Sequence, residues 1–348
     1  MAFDFPTSPS TGTQYVGPNG KMYFYDGGSW TTKGDALTPN PLLNSFKYRT
    51  IYTRGYTMGG YASSSPWQNI NRTQHSTDMT TNLGDLLDFP ASYKSGGFSD
   101  YNLYMYGCDA AHSAVATYVS SVSMSTETAR THSTTWDLKT GRTDAESLMN
   151  PTLTLAYITG GATSSTDKHN YVTDTMYAAG TVAASPAGAG GTNGGIGAFF
   201  GEFYGWVSAG TGACGYISWA TEVWTSGVIS WATDGQPKGL SSKHGFGYGS
   251  TGSYAGTTTL YKFNDVTGAG ASSMTRPESA GEENWQVGQN WGYSLGSYNG
   301  TIQSNNSTKV SYLTDTCVAM GSDTMPKGHA GMSSGGCASA SAMMVGGL

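Results

Sequence analysis

The six histidines are the side chains best suited to acid–base or metal chemistry. They occur at His75, His112, His132, His169, His244 and His329. A zinc metalloprotease helix needs two histidines four residues apart, and no pair here has that spacing. Hydrolase nucleophiles also need a defined turn and a partner base. We therefore predict no metal ligand and no hydrolase triad.

Two short stretches place acidic residues where they could take part in catalysis. Asp167 and His169 are two residues apart in the polar stretch STDKHNY, and Asp109 follows Gly107-Cys108. An acid near a histidine can act as a general base pair. A polar stretch of this kind more often forms a solvated turn, and an aspartate after glycine often caps one. We expect turns at both places.

Three glutamates cluster in RPESAGEEN, at Glu278, Glu282 and Glu283. Paired carboxylates are what a glycosidase requires, and a polysaccharide depolymerase is therefore one alternative. A charged surface loop explains the cluster more simply. We predict no catalytic residue, no metal and no cofactor, and hence a protein that is not an enzyme.

The elements around these residues are predicted to be strands. Only 11% of the residues are charged, while the 348-residue chain contains 50 glycines and 23 tyrosines. Aromatic, Thr, Ser and Gly residues in these amounts favour short strands joined by tight turns. The composition predicts an all-β protein.

Charge and hydropathy exclude two classes of partner. The net charge is −6, and no dense Lys/Arg run provides the basic surface that nucleic-acid binding requires. No window approaches the roughly 18 apolar residues of a membrane span. The start, MAFDFPTSPS, lacks the basic and apolar regions of a secretory signal. We therefore expect no nucleic-acid partner, no membrane insertion, and synthesis in a cytosol.

The four cysteines are predicted to be buried small hydrophobes. They lie far apart, at Cys108, Cys214, Cys317 and Cys337. A reducing cytosol disfavours disulfides. Cys317 and Cys337 lie within one repeat, so a bridge between them is the only disulfide that merits a test.

Residues 1–33 are predicted to form a small β-hairpin module. Asn19-Gly20 and Asp26-Gly27 supply turns on either side of the alternating KMYFY. So small a ribbon is marginally stable alone, so we expect it to dock. Residues 34–50 contain two prolines without a sustained period and are predicted to be a linker.

A repeat of apolar residues running into glycine occupies residues 51–348. Successive anchors are 47, 53, 50, 39, 47 and 50 residues apart, at Gly60, Gly107, Gly160, Gly210, Gly249, Gly296 and Gly346. Strand-like stretches and then Pro- or Arg-containing turns follow most anchors. A period near 48 without helical patterning predicts a β-propeller. A parallel β-helix is the alternative, although its periods are usually shorter.

The repeat predicts six or seven blades, and we favour seven. The anchored strand is expected to be the innermost of each blade, because glycine suits the crowded axis. The last inner strand, SAMMVGGL, has no outer strands after it. We expect strands from the N-terminal part of the chain to complete that blade and bring the two ends together.

Two resemblances give these repeats a biological setting. The glycine doublets at 59–60, 160–161 and 346–347 resemble those of kelch-like propellers. The stretch from Phe3 to Trp30 resembles a short module of tailed-bacteriophage, cyanophage-type virion and tail-fibre proteins. The residues that carry the second resemblance are those of Phe5-Pro6-Thr7-Ser8-Pro9, Gly12, Tyr15 and Asp26-Gly27-Gly28-Ser29-Trp30. The candidates for virion docking within this module are Phe3, Phe5, Pro6, Tyr23, Tyr25 and Trp30. The resemblance implies a virion structural protein that is assembled in the host cytoplasm and used in assembly or host attachment.

The partners that follow are other virion proteins, a host-surface glycan or receptor, and further copies of the chain. A lectin-like propeller is the main alternative, because exposed tryptophan or tyrosine stacks on sugar rings. Tryptophans crowd the later repeats, at Trp206, Trp219, Trp224, Trp231, Trp285 and Trp291. We expect most of them to pack between neighbouring blades.

Overall fold

The structure is a computed structural model of the chain. It describes residues 8–9, 14–16, 22–25, 30–32, 52–59, 61–62, 65–66, 68–90, 95–99, 101–107, 116–142, 145–150, 154–160, 165–181, 196–200, 204–209, 213–228, 238–241, 246–250, 257–264, 267, 270–280, 284–287, 291–298, 303–311, 313–320 and 342–345. The chain divides into two compact units, Met1–Tyr48 and Arg49–Leu348. The boundary falls within the segment predicted as a linker.

The first unit contains a three-stranded antiparallel sheet. Its strands are β1 (Gln14–Val16), β2 (Met22–Tyr25) and β3 (Trp30–Thr32), in that order. Tyr25 and Trp30 lie opposite each other in β2 and β3, with ring centroids 5.5 Å apart. This aromatic pair covers one patch of a sheet too small to have a core.

The strands of the second unit fall into six four-stranded antiparallel sheets and one two-stranded ribbon. Sheet 1 begins with β4 (Tyr52–Met58), continues after the ribbon β5 (Tyr61–Ala62) and β6 (Ser65–Pro66), and contains β7 (Asn69–Gln74) and β8 (Met79–Asp85). Sheet 2 consists of β9 (Ser95–Phe98), β10 (Asn102–Tyr106), β11 (Val119–Ser123) and β12 (Thr128–Ala129). Sheet 3 consists of β13 (Ala145–Met149), β14 (Leu155–Gly160), β15 (Ser165–Asn170) and β16 (Thr175–Thr181).

The remaining sheets follow the same plan. Sheet 4 consists of β17 (Ile196–Phe200), β18 (Tyr204–Ala209), β19 (Ala213–Ser218) and β20 (Trp224–Val228). Sheet 5 consists of β21 (Lys238–Ser241), β22 (Phe246–Ser250), β23 (Thr257–Asn264) and β24 (Gly270–Ala280). Sheet 6 consists of β25 (Asn284–Val287), β26 (Trp291–Tyr298), β27 (Gln303–Ser311) and β28 (Cys317–Ala319). The last strand, β29 (Ala342–Val345), belongs to sheet 1. The all-β prediction is confirmed.

The two ends of this unit meet in sheet 1. There β29 pairs antiparallel with β4, and the strand order is β29-β4-β7-β8. The other five sheets contain four consecutive strands each. The first strands of neighbouring sheets also touch: β9 contacts β13, β13 contacts β17, β17 contacts β21, and β21 contacts β25. Finally β25 contacts β29 and β29 contacts β9, so this series of contacts returns to its start.

The second strand of a sheet has a hydrogen-bonded strand on each edge, and other sheets cover its two faces. In β10 the four residues from Leu103 to Tyr106 are all buried, so both faces of the strand are covered. A strand with two covered faces needs apolar residues at consecutive positions. That requirement explains the run LYMY, which carries no alternation of apolar and polar residues.

The anchored stretches correspond to these second strands. Six of them are β4, β10, β14, β18, β22 and β26, while the seventh is β29, a first strand. The prediction that every anchored strand is innermost is wrong for the six, because each has a hydrogen-bonded neighbour on both sides. Two glycines that end them have positive φ angles, 64° at Gly59 and 77° at Gly107. Glycine marks the turn that follows the buried strand.

Gly205 in β18 is required by a close contact. A Cβ atom there would lie 2.4 Å from Cη2 and 2.7 Å from Cζ2 of Trp219, and 3.1 Å from Cδ1 of Leu148. An indole ring in a packed interface between sheets 3 and 4 cannot move away freely. We expect Gly205→Ala to lower the free energy of unfolding by about 1–3 kcal/mol, measured by urea denaturation.

Gly270→Ala is the matched control, since nothing lies within 4 Å of a Cβ at that position. It should change the free energy of unfolding by less than about 0.5 kcal/mol. Equal effects of the two substitutions would contradict the packing argument.

Candidate functional site

The same acidic turn joins the third and fourth strands of most sheets. Its last residue has a positive φ near 55° in five sheets, at Asp78, Glu127, Asp174, Glu222 and Asp315. This left-handed conformation is unfavourable for residues other than glycine, asparagine and aspartate. A glutamate placed there twice suggests that its carboxylate makes a compensating contact.

Each of these carboxylates binds a cation of the preceding sheet. Glu127 of sheet 2 accepts hydrogen bonds from Arg72 Nη1 at 2.8 Å and from Tyr56 Oη at 2.9 Å, both of sheet 1. Burial and the neighbouring carboxylate raise the pKa of Tyr56 to about 12, so its hydroxyl stays protonated and donates. Sheets 1 and 2 are therefore joined by a partly buried ion pair.

Two further junctions use lysine in the same way. Lys168 Nζ of sheet 3 binds both oxygens of Glu222 of sheet 4, at 2.8 and 2.6 Å. Lys262 Nζ of sheet 5 binds both oxygens of Asp315 of sheet 6, at 2.9 and 2.7 Å.

The junction of sheet 6 with sheet 1 repeats this contact between the two ends of the unit. Lys309 Nζ binds Asp78 Oδ2, and Tyr293 Oη donates to Asp78 Oδ1 at 3.2 Å. Tyr293 and Lys309 lie directly opposite each other in β26 and β27, as Tyr56 and Arg72 do in β4 and β7. The repeated unit is therefore a cross-strand tyrosine–cation pair that receives the acidic turn of the next sheet.

The junction of sheets 2 and 3 has the largest polar network. Asp174 accepts hydrogen bonds from Arg130 Nη2 at 2.6 Å, from Tyr104 Oη at 2.9 Å and from His169 Nε2 at 3.2 Å. The other histidine nitrogen, Nδ1, lies 3.0 Å from Tyr106 Oη. Ser121 lies opposite Tyr104, in the position that a lysine or arginine has in other sheets. The cation at this junction is Arg130, which follows β12, and its Nη1 donates to Ser121 Oγ at 3.1 Å.

Burial and hydrogen bonds together set the protonation states of His169 and Asp174 in this network. His169 is fully buried, and desolvation lowers its pKa although the bond to Asp174 opposes the shift. Burial alone would raise the pKa of Asp174, but hydrogen bonds from His169, Arg130 and Tyr104 outweigh burial and lower it. The network thus holds a neutral histidine beside a carboxylate at neutral pH.

We expect Asp174→Asn to lower the free energy of unfolding by about 1.5–3 kcal/mol at pH 7, because Arg130 loses a charged acceptor. Asparagine tolerates the left-handed backbone. Asp174 has a lowered folded-state pKa, so its contribution is complete above its unfolded pKa of about 3.9 and is lost as pH falls through the folded value. The effect of the substitution should therefore shrink in strong acid. The measurement is urea denaturation from pH 7 to pH 2.5.

His169 adds a second pH dependence to the same junction. Its lowered pKa means that the unfolded chain binds a proton below about pH 6.5 while the folded chain does not, so stability falls from that pH downward. Asp85→Asn, at an exposed carboxylate, is the control and should follow the unmodified protein. A substitution effect at Asp174 that stays constant with pH would contradict the assignment.

The junction of sheets 4 and 5 carries aromatic side chains instead of the charged pair. Trp206 and Tyr216 occupy the cross-strand positions of tyrosine and cation, with ring centroids 4.7 Å apart. The ring centroid of Tyr204 lies 5.1 Å from that of Tyr216, and the two ring planes make an angle of 80°. In the sequence, the position that matches the acidic residue is Gly268. The cation position is thus occupied by an aromatic residue, and the acid position is replaced in the sequence, although Asp265 lies three residues earlier.

Asp167 and His169 lie in strand β15 and are fully buried, so the prediction of a solvated turn is wrong. Asp167 Oδ2 lies 3.5 Å from Arg142 Nη2 and accepts a hydrogen bond from Thr140 N at 3.2 Å. Arg142 also donates to the carbonyl and the hydroxyl of Ser165, at 2.7 and 3.0 Å. Burial raises the pKa of Asp167 and lowers that of Arg142. Nothing in the sequence indicated that Arg142, which lies outside the strands, would cover Asp167.

Two short strings match the letters of known motifs but lack their structural setting. Residues 292–296 read G-x-S-x-G, yet they lie within strand β26 and Ser294 is buried. A hydrolase needs this serine exposed on a sharp turn between a strand and a helix. Residues 247–252 read G-x-G-x-x-G, and residues 247–250 belong to β22 rather than to a turn before a helix. Neither string supports an active site.

Other predicted residues are placed as follows. Among the described residues, no group of three His, Cys, Asp or Glu side chains could hold a metal ion, and no helix is long and apolar enough to cross a membrane. Trp219 packs with Leu148 of sheet 3, which confirms packing between sheets for this residue. The positions outside the described residues or side chains are Phe3, Phe5, Pro6, the Tyr23 side chain, Gly60, Asp109, Cys108, Cys337, Gly210, Gly346, Trp231, the Trp285 and Glu278 side chains, Glu282 and Glu283.

The acidic turns were missed from the sequence, although a strict signal marks them. Threonine precedes each turn position, at Thr77, Thr126, Thr173, Thr221, Thr267 and Thr314. Successive spacings are 49, 47, 48, 46 and 47 residues, which is more regular than the glycine spacing. This period gives six copies, one for each four-stranded sheet.

Comparison with known proteins gives a likeness of fold. No family model matches the chain, and no curated protein sequence matches it. A solved structure titled "Structure of YjhT" superposes with a TM-score of 0.53, covering 76% of this chain and 97% of that one. The chain shares its fold with YjhT. The sequences are 12% identical, so the likeness to YjhT extends to the fold alone.

Proposed function

We propose that the second unit is a β-propeller of six blades, one for each four-stranded sheet. The observation that carries this proposal is the repeated contact from each sheet to the next. The junction of Lys309 with Asp78 links the last sheet to the first, and β29 pairs with β4 across the same two ends. The seven anchored strands fit six blades, because two of them, β4 and β29, belong to the first blade.

We further propose that this propeller is a non-enzymatic structural domain of a bacteriophage virion, carried on a tail fibre, appendage or capsid decoration. Buried ionisable groups support a structural role, because the side chains that could do chemistry are engaged between sheets. His169 Nδ1 lies 3.0 Å from Tyr106 Oη of sheet 2, and Asp174 binds Arg130, which follows β12. Asp167 accepts a hydrogen bond from Thr140 N and pairs with Arg142. The module resemblance from Phe3 to Trp30 supports the virion setting and makes other virion proteins the first partners.

A lectin-like role in host attachment is the second candidate. It is favoured by the aromatic junction of sheets 4 and 5, where Tyr204 and Tyr216 are partly exposed. A depolymerase would need carboxylates that converge in a cleft. The glutamates that could provide them, at 278, 282 and 283, lie outside the described side chains.

Particle incorporation tests the virion role. A phage carrying the gene with residues 1–33 deleted should assemble particles that lack the protein, detected by mass spectrometry of purified particles. The control is Tyr101→Ala, at an exposed tyrosine of the second unit, which should be incorporated normally. Normal incorporation of a folded deletion variant would count against docking by the module. Electron microscopy of the full chain should show a disc of six sectors, and a different count would reject the six-blade model.

A further inference from the structure

We infer that the junction of sheets 4 and 5 binds a neutral pyranose ring of a glycan through Tyr204 and Tyr216. This inference rests on the propeller proposed above, since it treats the six junctions as equivalent. Five of them carry a carboxylate bound to a cation. At the junction after sheet 4, Tyr216 occupies the cation position. In the sequence, Gly268 follows Thr267 where the other turns have an acid after threonine, and the nearest carboxylate is that of Asp265.

The three aromatic side chains form a supported corner. Tyr204, Trp206 and Tyr216 share one face of sheet 4, because 204 and 206 alternate in β18 and 216 lies opposite 206. Trp206 is 3% exposed. Its ring centroid lies 4.7 Å from that of Tyr216 and 6.4 Å from that of Tyr204. The two tyrosine rings are nearly perpendicular and partly exposed. The edge of one ring is therefore turned toward the face of the other, and both side chains keep part of their surface exposed.

The hydroxyl groups distinguish this corner from the other junctions. Tyr56, Tyr104 and Tyr293 donate their hydroxyls to the acidic turns. In the part of the chain that the structure describes, Tyr204 and Tyr216 have aromatic contacts but no hydrogen bond to their hydroxyls. Two partly exposed phenols are therefore available to a ligand.

A neutral sugar ring fits these properties best. The apolar C–H face of a pyranose packs on an aromatic face, and its ring hydroxyls can bond to the phenols. An apolar peptide side chain would leave both phenols unsatisfied. A nucleic acid is disfavoured by the net charge of −6. Because the described side chains of this corner are uncharged and the chain has a net charge of −6, we expect neutral sugars to bind better than acidic ones.

The test uses the full chain on a glycan array that contains neutral and sialylated bacterial-type and host-type oligosaccharides. Saturation-transfer NMR then measures affinity for the neutral glycan that binds most strongly. We expect Tyr216→Ala to weaken binding about tenfold and Tyr204→Phe, which removes one hydroxyl, to weaken it about threefold. Tyr101→Ala, at a tyrosine that is 74% exposed in sheet 2, should leave binding unchanged.

Three results would overturn the inference. They are the absence of binding to every neutral glycan by correctly folded protein, binding that Tyr216→Ala leaves unchanged, and a preference for sialylated glycans. Circular dichroism and thermal unfolding establish the fold of each variant, and Tyr204→Phe removes too little to unfold it. If the unmodified chain binds no glycan while the variant lacking residues 1–33 fails to enter particles, the glycan site is rejected and the virion role stays intact. If the unmodified chain binds glycan while that deletion variant is incorporated normally, the docking role alone is rejected.

Discussion

Deleting residues 342–348 is expected to destabilise the whole second unit by at least about 4 kcal/mol, at roughly 1 kcal/mol for each backbone hydrogen bond lost between β29 and β4. The deletion also removes contacts of β29 with β9 and β25, the first strands of both neighbouring sheets. Sheet 1 would then present β4 as an unpaired edge. Urea denaturation followed by far-UV circular dichroism and by tryptophan fluorescence measures the change.

The matched control is a shorter deletion, of residues 346–348, which leaves β29 complete. It should unfold like the full chain. If the longer deletion affected only a local transition and left the main change in tryptophan fluorescence at its original urea concentration, the sheets would not form one cooperative structure. That outcome would remove the basis for the propeller proposal.

Asp167→Ala is expected to lower the free energy of unfolding by about 3–5 kcal/mol, because it leaves a buried arginine without its carboxylate. Asp167 and Arg142 have side chains that are 0% and 1% exposed. Arg142 would keep its hydrogen bonds to Ser165, but it would lose Asp167 as a counter-ion. Chemical denaturation at pH 7 measures the loss.

A double-mutant cycle separates the ion pair from other effects. Arg142→Met combined with Asp167→Ala removes both charges, so the double variant should be more stable than the sum of the single effects predicts. Additive losses would show that the two side chains act independently. Asp167→Asn is an informative third variant, because it retains an acceptor for Thr140 N while removing the charge.

The sequence predicted the class of this fold and its repeat, because composition and glycine period respond to strands and turns directly. It mistook the place of the repeated strand within each sheet. An apolar stretch that ends in glycine indicates burial, and a second strand such as β10 is buried as deeply as an innermost one. Strand order depends on pairing between distant residues, as for β29 with β4, and no local pattern encodes it.

The polar contacts were harder to predict than the strands. A lysine such as Lys309 and an acid such as Asp78 are 231 residues apart, so their pairing is visible only when the sheets are placed side by side. His169 and Asp167 show the same limitation, since their polar stretch suggests exposure until neighbouring sheets cover it. The spacing of the threonines before these turn positions was the available signal, and it occurs in six copies, five of them followed by an acid.

The pairing of β29 with β4 has a consequence for folding during synthesis. The two strands are separated in the chain by the residues between Met58 and Ala342. A ribosome adds about 5–20 residues per second, so β4 waits roughly 15–60 s for its partner strand. Hairpins form within about 10 μs, so the other three strands of sheet 1 are ready long before translation supplies the fourth. During synthesis, the nascent chain is therefore exposed to mispairing at β4, and a chaperone that shields β4 would protect it most.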